Sequence, residues 1–385
     1  MTQYQFVCPC LFGLESVLSG ELRRMGAGNV MAHNGKVTFT GDSAMMARAN
    51  IGLRTAERVL IEIGKFTAKT FSELFDQVRA LPVEEYIGSR DAFPVKGWAL
   101  ESKLMSVPDC QAIIKKAMVE RMRHHYKMDW FPETGALHQI QFSIYHDEVS
   151  IMLDTSGAGL HKRGYRVNSN AAPIKETLAA GMLDLIRVYP DTVLCDPFCG
   201  SGTILIEAAM KALNVPPGLK RKFAAQNFGM FDESIWRQER QRGIDGVRRD
   251  ITFFAYGSDI DPESVALAKE NAKKAGVFSR MLIGQKDVRS LVMRDDLTLI
   301  ATNPPYGERM LEQEEARELY RAMGKVLSGS DAAKAIITPD EQFETLFGKK
   351  ADKRRKLYNG MLKCQLYLYQ RNRKKPERVE TYAAE

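Results

Sequence analysis

The chain has 385 residues, of which 44% are hydrophobic and 27% charged, and its net charge is +7. This composition is typical of globular proteins, and the length predicts about two or three domains. No window holds the roughly 18 apolar residues of a membrane span, and the first residues lack the basic start of a signal peptide. The six cysteines form no CxxC pair and no metal-ligand spacing, so we expect a cytoplasmic protein with neither a metal site nor a membrane partner.

The start of the chain has the pattern of a small unit that mixes strands and helices. Apolar runs predict strands at 6–10 and 37–40, and helical spacing of Leu and Val predicts a helix over 13–25. Asp42 precedes a second predicted helix at 43–49 and is a suitable N-cap residue.

The following part of the chain continues this alternation. Periodicity predicts a strand at 59–63, helices over 71–81 and 106–126, and a β-hairpin over 140–153. The longer helix carries Lys115 and Lys116 on its polar side. No carboxylate pair, metal cluster or nucleophile emerges here, so we expect this half to bind a partner without catalysing a reaction.

A basic stretch, Leu160 to Arg166, follows the predicted hairpin. Its cations Lys162, Arg163 and Arg166 stand beside Tyr165, a combination that suits phosphate contact and base stacking. A basic interdomain linker is the alternative interpretation.

The stretch from Val193 to Ala209 predicts a buried strand, a tight turn and the start of a helix. Gly200 and Gly202 provide backbone that tolerates positive φ and lets a ligand approach closely. Asp196 ends the strand, where open α/β sheets bind their ligands.

About forty residues, 214–249, separate the helix after this turn from the next strand, far more than a usual α/β connection. The segment carries aromatic residues among many cations. It is either an insertion on the substrate side or a packing elaboration, and we favour the insertion slightly.

Two further acids end successive predicted strands. Asp259 follows a strand at 251–256, and Asp287 follows one at 281–285. With Asp196 they form an acidic rim, which suits a sulfonium cation, ribose and adenine but repels pyrophosphate. A dinucleotide fingerprint would need a third glycine where Leu205 stands, so that alternative loses support.

A strand over 297–302 leads directly into Asn303-Pro304-Pro305-Tyr306-Gly307. The two prolines fix φ and remove two N–H donors, so the turn offers carbonyls and one amide side chain. Such a turn suits an amino group, because the groups it presents accept hydrogen bonds.

The end of the chain predicts helices at 315–327 and 341–347, a strand at 335–338 and a closing strand pair. Residues 346–378 contain 12 Lys and Arg against 2 Asp and Glu, a net charge of +10 that leaves −3 for the rest of the chain. A concentration of cations like this predicts a polyanionic partner. A solvated tail is the alternative.

The turn at 196–209 and the Asn-Pro-Pro-Tyr motif together resemble class I S-adenosylmethionine-dependent methyltransferases that modify exocyclic amines. The whole chain resembles the THUMP-containing RNA methyltransferases, in particular bacterial 23S ribosomal RNA guanine-N2 methyltransferases and their single-module relatives. The motifs that carry this resemblance are Leu160–Arg166, Ala172–Ala180, Asp196–Ala209, Gly257–Pro262 and Asn303–Arg309.

This resemblance implies an α/β fold with N-terminal α+β ferredoxin-like and THUMP domains and a C-terminal Rossmann-like methyltransferase sheet. The expected ranges are 1–60 for the ferredoxin-like unit, 61–165 for the THUMP RNA-binding domain and 166–385 for the methyltransferase domain. The implied cofactor is S-adenosylmethionine, and the implied partner is RNA, with 23S rRNA processing as the expected role.

The resemblance also assigns roles to residues. Asn303 and the Pro304 carbonyl would accept hydrogen bonds from the target amine, Pro305 completes the rigid turn, and Tyr306 would stack on the base. The RNA-binding residues are expected to be Lys115, Lys116, Lys162, Arg163 and Arg166. The cofactor-binding residues are expected to be Asp196, Pro197, Phe198, Gly200, Ser201, Gly202, Thr203, Asp259, Ile260, Asp287 and Val288.

Other functions share parts of this pattern. Asn-Pro-Pro-Tyr also serves adenine-N6 methylases and glutamine methylases, although the THUMP-like half and the basic tail argue against both a DNA and a protein substrate. A non-catalytic RNA-binding assembly factor that retains the fold is a further alternative, which the intact Asn303 and acidic rim disfavour.

Overall fold

A computed structural model of the chain describes residues 2–166, 173–307 and 310–371. Ala172, Glu308, Arg309 and the end of the basic segment therefore lie outside the described residues. The chain divides into two compact units, the first formed by residues 1–166, 175–181 and 213–249 and the second by the remainder. Across the described residues, no helix combines the length and the apolar character needed to cross a membrane.

The elements of the first part of the chain include two strands that the sequence did not predict, β2 and β5. In chain order the elements are β1 (Tyr4–Pro9), α1 (Glu15–Met25), β2 (Gly28–His33), β3 (Lys36–Gly41), α2 (Ser43–Gly52), β4 (Leu60–Thr67), α3 (Phe71–Ala80), β5 (Val95–Leu100), α4 (Val107–Tyr126), β6 (Ile140–Tyr145) and β7 (Glu148–Asp154).

These seven strands form one sheet in the order β2-β3-β1-β4-β7-β6-β5. The succession β1-α1-β2-β3-α2-β4 is the ferredoxin-like arrangement, so that prediction is confirmed. The predicted cap of α2 is also present, since Asp42 Oδ1 accepts a hydrogen bond from the Met45 amide at 2.8 Å. One face of the sheet packs on the helices, where the rings of Phe6 and Phe39 stack with centroids 4.8 Å apart.

Residues 213–249 belong to the first unit, whose core their aromatic side chains enter. Phe223, Phe228 and Trp236 are buried, and the Phe223 and Trp236 rings stack at 5.3 Å. Within the segment, Glu239 accepts hydrogen bonds from the Arg48 guanidinium at 2.7 and 2.8 Å. The favoured interpretation of an insertion on the substrate side is therefore wrong for these aromatic residues, which are a packing elaboration.

The remaining elements confirm the predicted α/β alternation and add a helix, α7, within residues 213–249. In chain order they are α5 (Glu176–Ile186), β8 (Val193–Asp196), α6 (Thr203–Ala212), α7 (Glu233–Asp245), β9 (Phe254–Asp259), α8 (Pro262–Ala275), β10 (Met281–Gln285), β11 (Leu299–Thr302), α9 (Met310–Leu327), β12 (Ala333–Thr338), α10 (Phe343–Phe347), β13 (Lys353–Asn359) and β14 (Leu362–Tyr369).

The strands of the second unit form a sheet in the order β10-β9-β8-β11-β12-β14-β13. The first five strands of this order are parallel, and β14 and β13 extend the sheet by antiparallel pairing. The chain order reverses between β8 and β11, which are neighbours in the sheet. At such a switch point the loops after the two strands diverge and leave a crevice for a ligand.

Candidate active site

A cavity of about 730 Å³ lies at the carboxyl ends of β8, β9, β10 and β11 in the second unit. It brings together all four predicted catalytic residues and every predicted cofactor-binding residue except Gly202. These lining residues are Asp196, Pro197, Phe198, Gly200, Ser201, Thr203, Asp259, Ile260, Asp287, Val288, Asn303, Pro304, Pro305 and Tyr306.

Asp196 ties the two strands of the switch point together. Its Oδ1 atom accepts a hydrogen bond from the Thr302 hydroxyl at 2.6 Å and one from the Phe198 amide at 3.2 Å. The side chain is 1% exposed, and this burial raises its pKa to about 7, although the two hydrogen bonds oppose the shift. The nearby Asp259 carboxylate raises the pKa further.

The turn after Asp196 is held by hydrogen bonds between its backbone and the side chains of Asp259 and Asn271. Gly200 has φ of 49°, and its amide donates to Asp259 Oδ2 at 2.9 Å. Behind the turn, Asn271 donates to the Ser201 carbonyl at 3.0 Å. Gly202 has φ of 82°, and a Cβ there would lie 3.1 Å from that of Ala268, so this glycine permits helix packing and does not line the cavity.

The other strand-end residues offer both polar and apolar groups to the cavity. Asp259 Oδ1 accepts the Asp261 amide at 3.1 Å, and Asp287 accepts the Arg289 amide at 2.8 Å. Because an ionised carboxylate has about four acceptor positions, both side chains keep acceptor capacity for a ligand. Ile260 is 64% exposed and supplies an apolar surface at the same edge.

The Asn-Pro-Pro-Tyr turn is fixed by two residues that the sequence reasoning missed. Tyr320 of α9 donates from its hydroxyl to the Pro305 carbonyl at 3.0 Å, and Asn359 of β13 donates from its amide to the Tyr306 hydroxyl at 3.1 Å. Nothing among the described residues hydrogen-bonds the Asn303 side chain, which leaves its oxygen available to a substrate donor. Neither Tyr320 nor Asn359 lies in a recognisable motif, so only the tertiary structure identifies them.

Further residues that the sequence reasoning missed line the cavity. Lys286 and Arg289 add two cations near Asp287, and Glu312 and Glu315 add carboxylates from α9. None of these belongs to the motifs at the strand ends. In the sequence, only the nearness of these four residues to those motifs could have indicated that they line the cavity.

The predicted RNA-binding residues lie in the first unit, and one of them, Arg163, differs from expectation. Arg163 is 5% exposed, and its guanidinium donates to the carbonyls of Leu160 and Arg54. This placement contradicts the predicted phosphate contact, because the charged group is engaged inside the unit. Tyr165 is buried as well, which excludes the base stacking suggested for it.

The other predicted RNA-binding residues differ in how well their charged groups can contact an outside partner. Arg166 pairs with Glu176 at 3.4 Å, which offsets its charge. Lys115 pairs with Glu133 and lies 3.3 Å from the centre of the Phe93 ring. Lys116 and Lys162 are exposed, so these two remain the candidates best placed for an outside partner.

Three domain families match the sequence. They are an RlmL ferredoxin-like domain over residues 5–60, a THUMP domain over 68–154 and an RMKL-like methyltransferase domain over 163–368. The last match alone spans more than half of the chain.

Known proteins resemble the chain along its whole length. YpsC of Bacillus subtilis (strain 168), provisionally named an RNA methyltransferase, is 40% identical over 384 residues, 99% of each chain. The ribosomal RNA large subunit methyltransferase K/L of Shewanella baltica (strain OS185) is 32% identical over 370 residues. That match covers 93% of this chain and 52% of the relative, so the chain spans about half the length of this larger protein.

Among solved structures, SMU.472 was determined in complex with S-adenosylhomocysteine and is provisionally named a methyltransferase. It is 37% identical, with a TM-score of 0.92 over 97% of this chain and 100% of its own. The family matches and this neighbour confirm the predicted fold class and the predicted cofactor, S-adenosylmethionine. The chain therefore belongs to the family of THUMP-containing proteins with an RlmL ferredoxin-like domain and an RMKL-like methyltransferase domain.

Proposed function

We propose that the protein transfers a methyl group from S-adenosylmethionine to an exocyclic amine of a base in RNA, with guanine N2 of 23S rRNA as the target. The observation that carries this proposal is the single cavity shared by Asn303, Tyr306 and the strand-end carboxylates. The proposal divides the chain into a ferredoxin-like unit at 1–60, a THUMP domain at 61–165 and a methyltransferase domain at 166–385, acting in the cytoplasm.

The residues around the cavity fit this cofactor. The volume of about 730 Å³ suits a ligand of this size. Apart from Gly200 and its two chain neighbours, no heavy atom of the described residues lies within 4 Å of a Cβ built at Gly200, so a ligand can approach the backbone there. When bound, the cofactor supplies an electrophilic methyl group on a positively charged sulfur, which the acidic strand ends favour.

Each part of the cavity has a distinct role in holding the cofactor. The turn from Asp196 to Thr203 holds the methionine part, and Asp259 accepts hydrogen bonds from the ribose. Asp287 accepts one from the adenine amino group, and Ile260 and Val288 pack on the adenine ring. This division uses the carboxylates as acceptors and the apolar side chains as packing surfaces.

The Asn-Pro-Pro-Tyr turn positions the target amine. Asn303 Oδ1 and the Pro304 carbonyl oxygen accept hydrogen bonds from its two N–H groups, and Tyr306 stacks on the base. These hydrogen bonds weaken conjugation of the amine lone pair with the ring, and they point the lone pair toward the methyl carbon that it attacks. Proximity and alignment supply most of the acceleration. The base must first leave its stack or already be unpaired.

An RNA substrate is supported by the THUMP match and by the name of the K/L relatives. The test incubates the full chain with labelled S-adenosylmethionine and ribosomal RNA from cells that lack the gene, followed by digestion to nucleosides. We expect label in N2-methylguanosine. Label in N6-methyladenosine would move the target to adenine, and RNA binding without any label would support a non-catalytic binding factor.

A further inference from the structure

The strand β13, at the edge of the second sheet, carries four consecutive exposed cations, Lys353, Arg354, Arg355 and Lys356. Side chains alternate between the two faces of a strand, so each face receives two of these charges. The result is a basic ridge along the edge of the sheet.

Most of this charge has no acidic partner among the residues that the structure describes. Arg354 forms a bidentate pair with Glu344, whose carboxylate offsets that cation. Lys353, Arg355 and Lys356 have no ion-pair partner among the residues that the structure describes. Cations on an edge strand also discourage pairing with another sheet, but that role would require no connection to the active site.

The ridge is connected to the candidate active site through Asn359, the last residue of β13. Its amide donates to the Tyr306 hydroxyl at 3.1 Å, and Tyr306 lines the cavity. The strand is joined to β14 by only Gly360 and Met361, with Gly360 at φ of 64°. A turn this short fixes the end of the hairpin, so the position of the ridge relative to Tyr306 is well defined.

The spacing along β13 suits a nucleic-acid backbone. A strand rises roughly 3.4 Å per residue, so Lys356 lies about 10 Å and Lys353 about 20 Å from Asn359 along the strand. The cations therefore form a track that leads away from Tyr306 over a distance that several phosphates of a single strand can follow.

We propose that the β13–β14 hairpin is an RNA-docking surface of the methyltransferase unit. Lys353, Arg355 and Lys356 contact phosphates of the single strand that flanks the target base, while Asn359 holds Tyr306 at the end of this track. The proposal rests on the proposed function in taking RNA as the substrate. Its chemistry is contact with phosphodiester groups, which is independent of base sequence.

The test compares two triple variants of the full chain that lose the same charge. The hairpin variant carries Lys353→Gln, Arg355→Gln and Lys356→Gln, and the control variant carries Lys273→Gln, Lys274→Gln and Lys325→Gln at exposed positions on α8 and α9. Affinity for a mixed-sequence single-stranded RNA oligonucleotide is measured by fluorescence anisotropy over a range of salt concentrations. Calorimetric binding of S-adenosylmethionine reports whether each variant is folded.

Single-strand contacts contribute a slope of roughly −0.7 per phosphate to log K against log salt, so losing three contacts should make the slope shallower by about 2. We expect this change in the hairpin variant and wild-type behaviour in the control. Equal slopes for the two variants would overturn the docking surface, even if the wild type methylates RNA. A shallower slope in the hairpin variant, with no methylation of any RNA by the wild type, would instead overturn the proposed function alone.

Discussion

The hydroxyl of Tyr320 donates a hydrogen bond to the carbonyl oxygen of Pro305 at 3.0 Å, inside the second unit. The same hydroxyl lies 2.9 Å from the Thr338 hydroxyl, which in turn accepts the Asp340 amide at 3.2 Å. Tyr320 is 0% exposed. A turn with two prolines has few N–H groups with which to fix its own shape. The buried hydrogen bonds of Tyr320 therefore hold the orientation of this turn.

Replacing Tyr320 with Phe should therefore disturb the turn more than the fold. We expect kcat to fall about tenfold, with stability reduced by about 1 kcal/mol and the affinity for S-adenosylmethionine unchanged. The control is Tyr369→Phe, which removes a buried hydroxyl that donates to the Lys349 carbonyl at 3.0 Å. An equal loss of kcat in both variants would show that Tyr320 acts only through stability.

Asn359 should act through Tyr306. Asn359→Ala removes the donor to the Tyr306 hydroxyl, and we expect kcat/KM for RNA to fall about 2- to 10-fold, the equivalent of one neutral hydrogen bond. A double-mutant cycle checks this, because Asn359→Ala should cause no further loss in a Tyr306→Phe background. Additive losses would mean that the two residues act independently.

Asp259 should contribute to cofactor binding, because it lines the cavity and its carboxylate accepts a hydrogen bond from the Gly200 amide. We expect Asp259→Ala to weaken calorimetric binding of S-adenosylmethionine by about 10-fold or more. The neighbouring Asp261→Ala is the control, since Asp261 caps α8 and does not line the cavity. If both variants bind equally well, Asp259 has no role in holding the ribose.

Asp196 should make the stability of the second unit depend on pH. Burial raises its pKa to about 7, above its value in an unfolded chain, so the folded state binds the proton more tightly. The stabilisation from this proton is present at low pH and is lost as the pH rises through about 7. Asp196→Asn carries no ionisable group, so we expect its stability relative to the wild type to increase between about pH 4 and pH 8, by at most about 4 kcal/mol.

Thermal unfolding of the wild type and of Asp196→Asn at several pH values measures this difference. Thr302 and Phe198 can still donate to the amide oxygen of the variant, so the hydrogen bonds observed at Oδ1 persist. A difference in stability that does not change with pH would show that Asp196 is ionised normally in the folded protein.

The sequence was informative where a local pattern determines structure. The helices α3 and α4 and the strand β10 follow clear periodic patterns, and the structure contains all three close to the predicted bounds. The residues after β8, β9 and β11 could be grouped into one site because parallel strands place their carboxyl ends at the same edge of a sheet.

The sequence was less informative where tertiary contacts determine whether a strand forms or what a residue contacts. The strand β2 is largely exposed and lacks the alternation of buried and exposed side chains that predicts a strand. The strand β5 contains Gly97, where a Cβ would lie 2.2 Å from the Phe142 carbonyl oxygen, a tertiary contact that the sequence does not reveal. Arg163 looked like a phosphate ligand because a cation in a basic stretch gives no sign that backbone carbonyls will surround it. The partners of Tyr320 and Asn359 are distant in sequence, so no local pattern could identify them.

The central claim is that Asn303 holds the target amine, and methyl transfer by Asn303 variants tests it most directly. Transfer from labelled S-adenosylmethionine to undermodified ribosomal RNA is measured for the wild type, Asn303→Ala and Asn303→Asp, beside binding of cofactor and RNA. Asn303→Ala should bind both ligands normally but lose about 10²- to 10³-fold in kcat, because one preorganised acceptor is removed. Asn303→Asp keeps an acceptor oxygen and should retain more activity than Asn303→Ala. Transfer by Asn303→Ala at the wild-type rate would contradict the account.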